Sequence, residues 1–209
     1  DRTHDEAVPS TVRSSLSPSL LQDLLRFSKQ GGDVDLLHAV AASVRHGKAM
    51  SLCLELADQP IVASISPRLQ IYRAPRDLCA LPPSQLAVLR LARVEPESAS
   101  VPPGSTARIH VGPLRPLLWS LALFGPRDEL LPEIAGSVRY RLAFGVSLAG
   151  LPIDAEWMPM LHRLRSMPLS LEDMLSGGSF RRVTPQRMLN AVYLQSGLMI
   201  SRAFDARVW

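Results

Sequence analysis

The chain has 209 residues, of which 46% are hydrophobic and 20% are charged. This length suits one large domain or two small ones, and the composition excludes an intrinsically disordered chain. No apolar run reaches the roughly 18 to 20 residues that a membrane-spanning helix needs. The net charge of +4 permits a polyanion as partner, but the basic residues, almost all arginine, are interspersed with acidic ones. With no apolar signal core among its first residues, the sequence predicts a cytoplasmic protein that binds no membrane.

Two helices are predicted at the start of the first domain, which we place at residues 16–95 after a flexible N-terminal segment at residues 1–15. Ser17-Pro18 is typical of a helix start, with an N-cap followed by proline at the first helical position. Asp33 is positioned to cap a second helix, and Gly47 to end it. Apolar residues recur at helical spacing in both segments.

Alternating apolar and polar residues then predict three short antiparallel strands, because a half-buried strand repeats every two residues. The alternating residues that predict these strands are, in chain order, Met50, Leu52, Leu54 and Leu56, then Ile61, Ala63 and Ile65, then Leu69 and Ile71, with Arg73 as a candidate extension. The predicted fold class is α+β, with helices packed on a small antiparallel sheet and followed by a helical, winged-helix-like C-terminal module.

Residues 96–106 are rich in proline, serine and glycine and are predicted to be a linker or a long loop. A second mixed domain would then span residues 107–209. It opens with a short strand at Ile109 and Val111 and continues with a helix that Gly125 ends. Later, a strand is predicted from alternating residues, which are Val138, Tyr140, Leu142 and Phe144.

The last part of this domain, residues 154–204, carries the clearest local signals. Its helix-start residues, in chain order, are Asp154, Ser170 with Asp173 three positions on, and Thr184 with Pro185. They predict a helix, a short helix, a turn, a longer helix at residues 185–196 and a terminal strand. This is the element order of a helix-turn-helix or winged-helix unit.

The same element order resembles the small helical extension of bacterial PATAN-type signalling adaptors, where it follows an α/β half similar to residues 19–95 here. The residues that carry the resemblance are Ser170-Leu171-Glu172-Asp173 and the helix between Thr184 and Gly197. It implies a non-enzymatic adaptor in bacterial regulation that acts by binding another protein.

A helix-turn-helix unit can also bind DNA, and this is a second hypothesis. Gln186, Arg187 and Asn190 are expected on the polar face of the 185–196 helix, and they have the right chemistry to contact base edges. Arg181, Arg182 and Arg202 could contact phosphates. The competing interpretation is a solvated helix face with ordinary surface arginines.

A third hypothesis concerns Arg68, Arg73 and Arg76, which cluster around the third strand. Arginine is the preferred side chain for bidentate phosphate recognition, so such a cluster could bind a nucleotide second messenger. The alternative is a row of exposed arginines on an antiparallel sheet face.

No catalytic motif is recognised, and we predict no enzymatic activity, no cofactor and no metal. The five histidines lack metal-ligand spacing, and the two cysteines cannot form a metal site alone. Residues 145–149 have the shape of a nucleophile elbow only if Ala149 stands in for its last glycine. No aspartate or histidine then follows in a convincing order.

Overall fold

A computed structural model describes residues 18–27, 35–97, 109–177, 180 and 183–202. The chain forms two compact units, residues 1–117 and residues 118–209. The first holds α1 (Pro18–Phe27), α2 (Leu36–His46), β1 (Met50–Leu56), β2 (Gln59–Ser66), β3 (Ile71–Ala74), α3 (Pro83–Leu86), β4 (Arg90–Pro96) and β5 (His110–Pro113). Helix α4 (Leu114–Phe124) contains the boundary. The second holds β6 (Val138–Leu142), α5 (Met158–Ser166), α6 (Leu171–Ser176), α7 (Pro185–Leu194) and β7 (Leu198–Arg202).

The first unit is built on a sheet with strand order β4-β1-β2-β3-β5, in which every neighbouring pair is antiparallel. The predicted α+β class is confirmed, and so is the strand at Met50–Leu56, whose alternate residues are buried. Residues 86–94, where the sequence favours a short helix running into a strand, run from the end of α3 into β4. Two strands are added to the predicted three-stranded sheet, because β4 pairs with β1 and β5 pairs with β3. Both added pairings are non-local along the chain, so periodicity alone does not reveal them.

The third strand runs in a different phase from the prediction. Tyr72 and Ala74 are buried, whereas Leu69, expected to face the core, is 64% exposed. A turn at residues 67–70 causes the shift. Gln70 has φ +55, and its side-chain Nε2 donates to the Pro67 carbonyl at 2.6 Å. The strand restarts after this turn with the opposite side chains inward.

Helix α2 is the most deeply buried helix of the first unit, with every residue from 36 to 43 buried. Its N-cap is Asp35, which accepts a hydrogen bond from the His38 backbone at 2.9 Å, and not Asp33, which lies outside the described residues. Gly47 ends the helix in the left-handed conformation, as predicted, with φ +59. At its last turn, Arg45 and His46 both contact the Asp23 carboxylate of α1.

The division between the units falls later than the predicted linker. Strand β5, which the sequence assigns to the second domain, lies in the first unit's sheet, with Tyr72 opposite Gly112. The boundary between the two units lies between Leu117 and Leu118, inside α4. Residues 98–106 of the predicted linker and residues 1–15 lie outside the described residues.

The second unit surrounds the antiparallel pair β6-β7, to which Leu169 adds an isolated antiparallel bridge with Tyr140. Helices α5 and α6 pack on β6, and α7 packs on α6 and β7. Trp119, Trp157 and Tyr140 are fully buried in this core, and the Tyr140 hydroxyl donates to the Ile134 carbonyl at 2.7 Å.

Two of the three predicted helix starts in the second unit are confirmed, whereas Asp154 directly precedes a short 3-10 helix at Ala155–Trp157 and makes no side-chain capping bond. Ser170 and Asp173 form a complete capping box at the start of α6. Thr184 caps α7, with Pro185 at the first helical position. No helix in the described parts of the chain is long and apolar enough to span a membrane.

Candidate functional site

The strand predicted to extend to Phe144 ends at Leu142, and a structured loop follows it. Residues 143–146 form a turn closed by a bond of 3.3 Å from the Val146 N–H to the Ala143 carbonyl. Its third residue, Gly145, has φ +73, which glycine adopts without strain. Phe144 sits at the tip with 86% of its surface exposed. The prediction that this residue lies in the strand is wrong, because the turn takes it out of the sheet.

The loop runs from Ala143 to Pro152, and hydrogen bonds to the rest of the second unit hold both of its ends. At the start, the Ala143 N–H donates to the Gly197 carbonyl at 2.9 Å. At the far end, the indole N–H of buried Trp119 donates to the Pro152 carbonyl at 3.1 Å. The exposed Phe144 is therefore presented by an anchored loop, which lowers the entropy lost when a partner binds it.

Two adjoining clefts of about 430 Å³ and about 370 Å³ lie between this loop and α5, and they share Leu142, Val146 and Arg165. We name their combined lining the β6–α5 groove. Its apolar lining comprises Leu142, Phe144, Val146, Leu148, Ile153, Met158 and Leu161. Ser147, His162 and Arg165 supply its polar groups. Both clefts are partly open to solvent.

Two arginines flank the groove without a carboxylate partner. The Arg141 guanidinium lies 5.4 Å from the centroid of the Phe144 ring, a cation–π contact, and its Nε is buried with no hydrogen bond. Arg165 is exposed and makes no ion pair or hydrogen bond in the described structure. None of the described lining residues is acidic. The groove thus combines an apolar floor with a positive rim.

Helix α7, the candidate DNA-reading helix, is mostly buried. Asn190, expected on its polar face, is 0% exposed. Its Oδ1 accepts a hydrogen bond from the Leu131 N–H, and its Nδ2 donates to the Glu129 carbonyl, both at 2.9 Å. The expectation that Asn190 faces solvent is therefore wrong, because its side chain is buried and hydrogen-bonded to the backbone of the segment that follows α4.

Arg187 has a similar local role. Its Nη1 donates to the Leu123 carbonyl at 3.0 Å and to the Gly125 carbonyl at 2.7 Å, at the C-terminal end of α4. Gln186 is half-buried, and Arg202 is exposed at the end of β7. Arg181 and Arg182 lie outside the described residues. Two of the three predicted base-reading residues, Arg187 and Asn190, thus bind backbone groups of their own unit.

Arg68, Arg73 and Arg76 are spread along the chain on both sides of β3 and within it. Arg68 lies in the turn before β3 and Arg76 after its end, so a four-residue strand separates them. Arg73 faces Glu97, with 3.7 Å between Nη1 and Oε1. Neither described groove cleft includes any of the three.

One cluster of titratable side chains lies in the first unit, around Tyr72. The Tyr72 hydroxyl donates to Asp77 Oδ1 at 2.6 Å and accepts the Leu78 N–H at 3.1 Å. Burial raises the pKa of Tyr72, whereas the hydrogen bond from Tyr72 lowers the pKa of Asp77. Burial also raises the pKa of the Cys79 thiol, which disfavours the nucleophilic thiolate. The cluster closes a loop against β3, and Gly112 allows the Tyr72 ring to approach the β5 backbone.

Sequence reasoning missed the β6–α5 groove, although two signals pointed to it. Phe144 followed by Gly145 is a turn signal as much as a strand end. The sequence of residues 145–149 is interpreted only as a possible nucleophile elbow, whereas Val146 and Leu148 line the groove. In the described residues, no group of three or more His, Cys, Asp or Glu side chains is placed to hold a metal ion.

Comparisons with known proteins do not assign the chain to a family. No protein-family model matches it, and neither the curated proteins nor the solved structures give a match.

Proposed function

We propose that the protein is a non-enzymatic regulatory adaptor that binds a segment of another protein in the β6–α5 groove. The observation that carries the proposal is Phe144, a large aromatic side chain that is 86% exposed on an anchored loop beside an apolar groove. Exposed apolar surface rimmed by polar groups is typical of protein interaction sites. Aromatic anchors also supply much of the binding energy at such sites.

Further support comes from the residues opposite the loop. Met158, at the start of α5, is 56% exposed and lines the same groove. Methionine adapts its shape to a partner and is common on protein-binding surfaces. Leu142 and Leu161, both buried, form the apolar floor beneath these two exposed side chains.

The proposal includes the finer fold assignment, a winged-helix-like C-terminal module. Helix α5, the bridge at Leu169, helices α6 and α7 and strand β7 follow each other in that order. Strand β6 lies between Leu169 and β7, where the second wing strand would lie, but it comes from earlier in the chain. We assign the binding role to the groove and not to α7, because the side chains of Asn190 and Arg187 are hydrogen-bonded to backbone groups of the same unit.

A photo-crosslinking experiment tests this function. A photoreactive phenylalanine analogue is placed at Phe144 in one variant and at Val62, which is 59% exposed on β2, in a matched control. In cells that naturally contain the protein, we expect a discrete crosslinked protein species from position 144 only. Equal crosslinking from both positions, or none from position 144, would contradict the proposal.

A further inference from the structure

We infer that the segment bound in the β6–α5 groove is acidic, with aspartate or glutamate residues flanking an aromatic or aliphatic anchor. This inference rests on the proposed function and adds the chemistry of the partner. Its basis is a groove whose described lining includes Arg165 and no carboxylate, together with Arg141, which contacts the ring of the lining residue Phe144.

The Arg141 guanidinium is already oriented before a partner arrives. It is held over the Phe144 ring at 5.4 Å, and its neighbour across the strand pair is Met199, an apolar residue. An arginine stacked on an aromatic ring keeps the outer edge of its planar fork free to bind a carboxylate in a bidentate manner. An anchor that contacts Phe144 therefore places the adjacent residues of the partner within reach of this charge.

Arg165 lines both clefts and therefore adds a second positive charge that favours an acidic segment along the groove. His162 lies one helical turn before it on α5 and lines the larger cleft. The nearest acidic residues along the chain, Asp154 and Glu156, precede α5 and are not among the lining residues. A basic or neutral segment would leave both guanidinium groups without a partner, whereas an acidic one would pair them.

Selection from a random peptide library tests the inference without knowledge of the natural partner. Peptides that bind the full chain are selected, sequenced, and measured against four variants: Phe144→Ser, Arg141→Gln, Arg165→Gln and Arg139→Gln. Arg139 is exposed on the same strand, two positions further from the Phe144 loop than Arg141, which contacts the Phe144 ring, so its variant is a control matched for charge.

We expect selected peptides that combine carboxylates with an aromatic or aliphatic anchor and that lose binding to Phe144→Ser. Exposed charge pairs contribute modestly, so Arg141→Gln and Arg165→Gln should each weaken binding about two- to fivefold, and Arg139→Gln much less. Neutral or basic peptides that require Phe144 but not the arginines would overturn this inference and leave the proposed function standing. Failure to select any peptide that depends on Phe144 would overturn both.

Discussion

The side chain of Asn190 is joined to the backbone of Leu131 by a hydrogen bond of 2.9 Å, although the two residues lie far apart in the sequence. With its second bond to the Glu129 carbonyl, this fully buried amide fixes the segment after α4 against α7. Truncation would leave a buried N–H and a carbonyl without partners.

We therefore predict that Asn190→Ala lowers the free energy of unfolding by about 2 to 4 kcal/mol, measured by urea denaturation. Arg202→Ala, an exposed control on β7, should change it by less than about 0.5 kcal/mol. An Asn190→Ala variant of full stability that loses DNA affinity would instead favour the DNA-reading hypothesis.

Arg187 gives a second prediction on the same helix. Its Nη1 bonds to the Leu123 and Gly125 carbonyls stabilise the C-terminal end of α4, where carbonyl groups lack helical partners. Arg187→Ala should destabilise the chain by about 1 to 3 kcal/mol. Its binding to a generic DNA duplex, titrated across salt concentration, should match that of the unaltered chain. A shallower salt dependence with unchanged stability would show that Arg187 contacts phosphate.

Tyr72 and Asp77 predict a pH dependence in the first unit. The hydrogen bond from Tyr72 lowers the pKa of Asp77 in the folded state, so its stabilising contribution is present above the pKa of the unfolded chain. That contribution is lost as the pH falls through the lowered folded value. Tyr72→Phe should therefore destabilise the chain more at about pH 6 than at about pH 2. Thermal unfolding of both chains at the two pH values measures this, and an equal loss at both would refute the coupling.

Phe144 should behave in the opposite way to a core residue. Because its side chain is 86% exposed, we expect Phe144→Ser to leave the free energy of unfolding within about 0.5 kcal/mol of its original value. The same variant should lose the crosslinked species and the selected peptides. A large loss of stability would mean that Phe144 supports the loop and does not serve as a binding anchor.

Local signals in the sequence predicted much of the fold. Ser170 with Asp173, Thr184 with Pro185, and Gly47 each act on neighbouring backbone groups, so their effect can be inferred from a few residues. The roles of Asn190 and Arg187 could not be inferred in this way, since their partners lie about 60 positions away. The pairing of β5 with β3 is hidden for the same reason.

The candidate site was missed for a different physical reason. Alternation at Val138, Tyr140 and Leu142 correctly predicts β6, and Phe144 continues the pattern. The turn at residues 143–146 ends the strand before Phe144, which is therefore exposed although it continues the alternating pattern. The exposed position of Phe144 depends on hydrogen bonds between this loop and both Gly197 and Trp119, which are distant in the sequence and cannot be inferred from the alternating pattern.

The most direct test of groove binding is NMR of the methionine methyl groups while a selected or crosslinked partner peptide is added. Met158 lines the groove, whereas Met50 is buried in the first unit's sheet and serves as an internal reference. We predict that the Met158 methyl signal shifts most and saturates with the peptide, while that of Met50 stays in place. A saturable interaction that leaves Met158 unshifted would contradict binding in the β6–α5 groove.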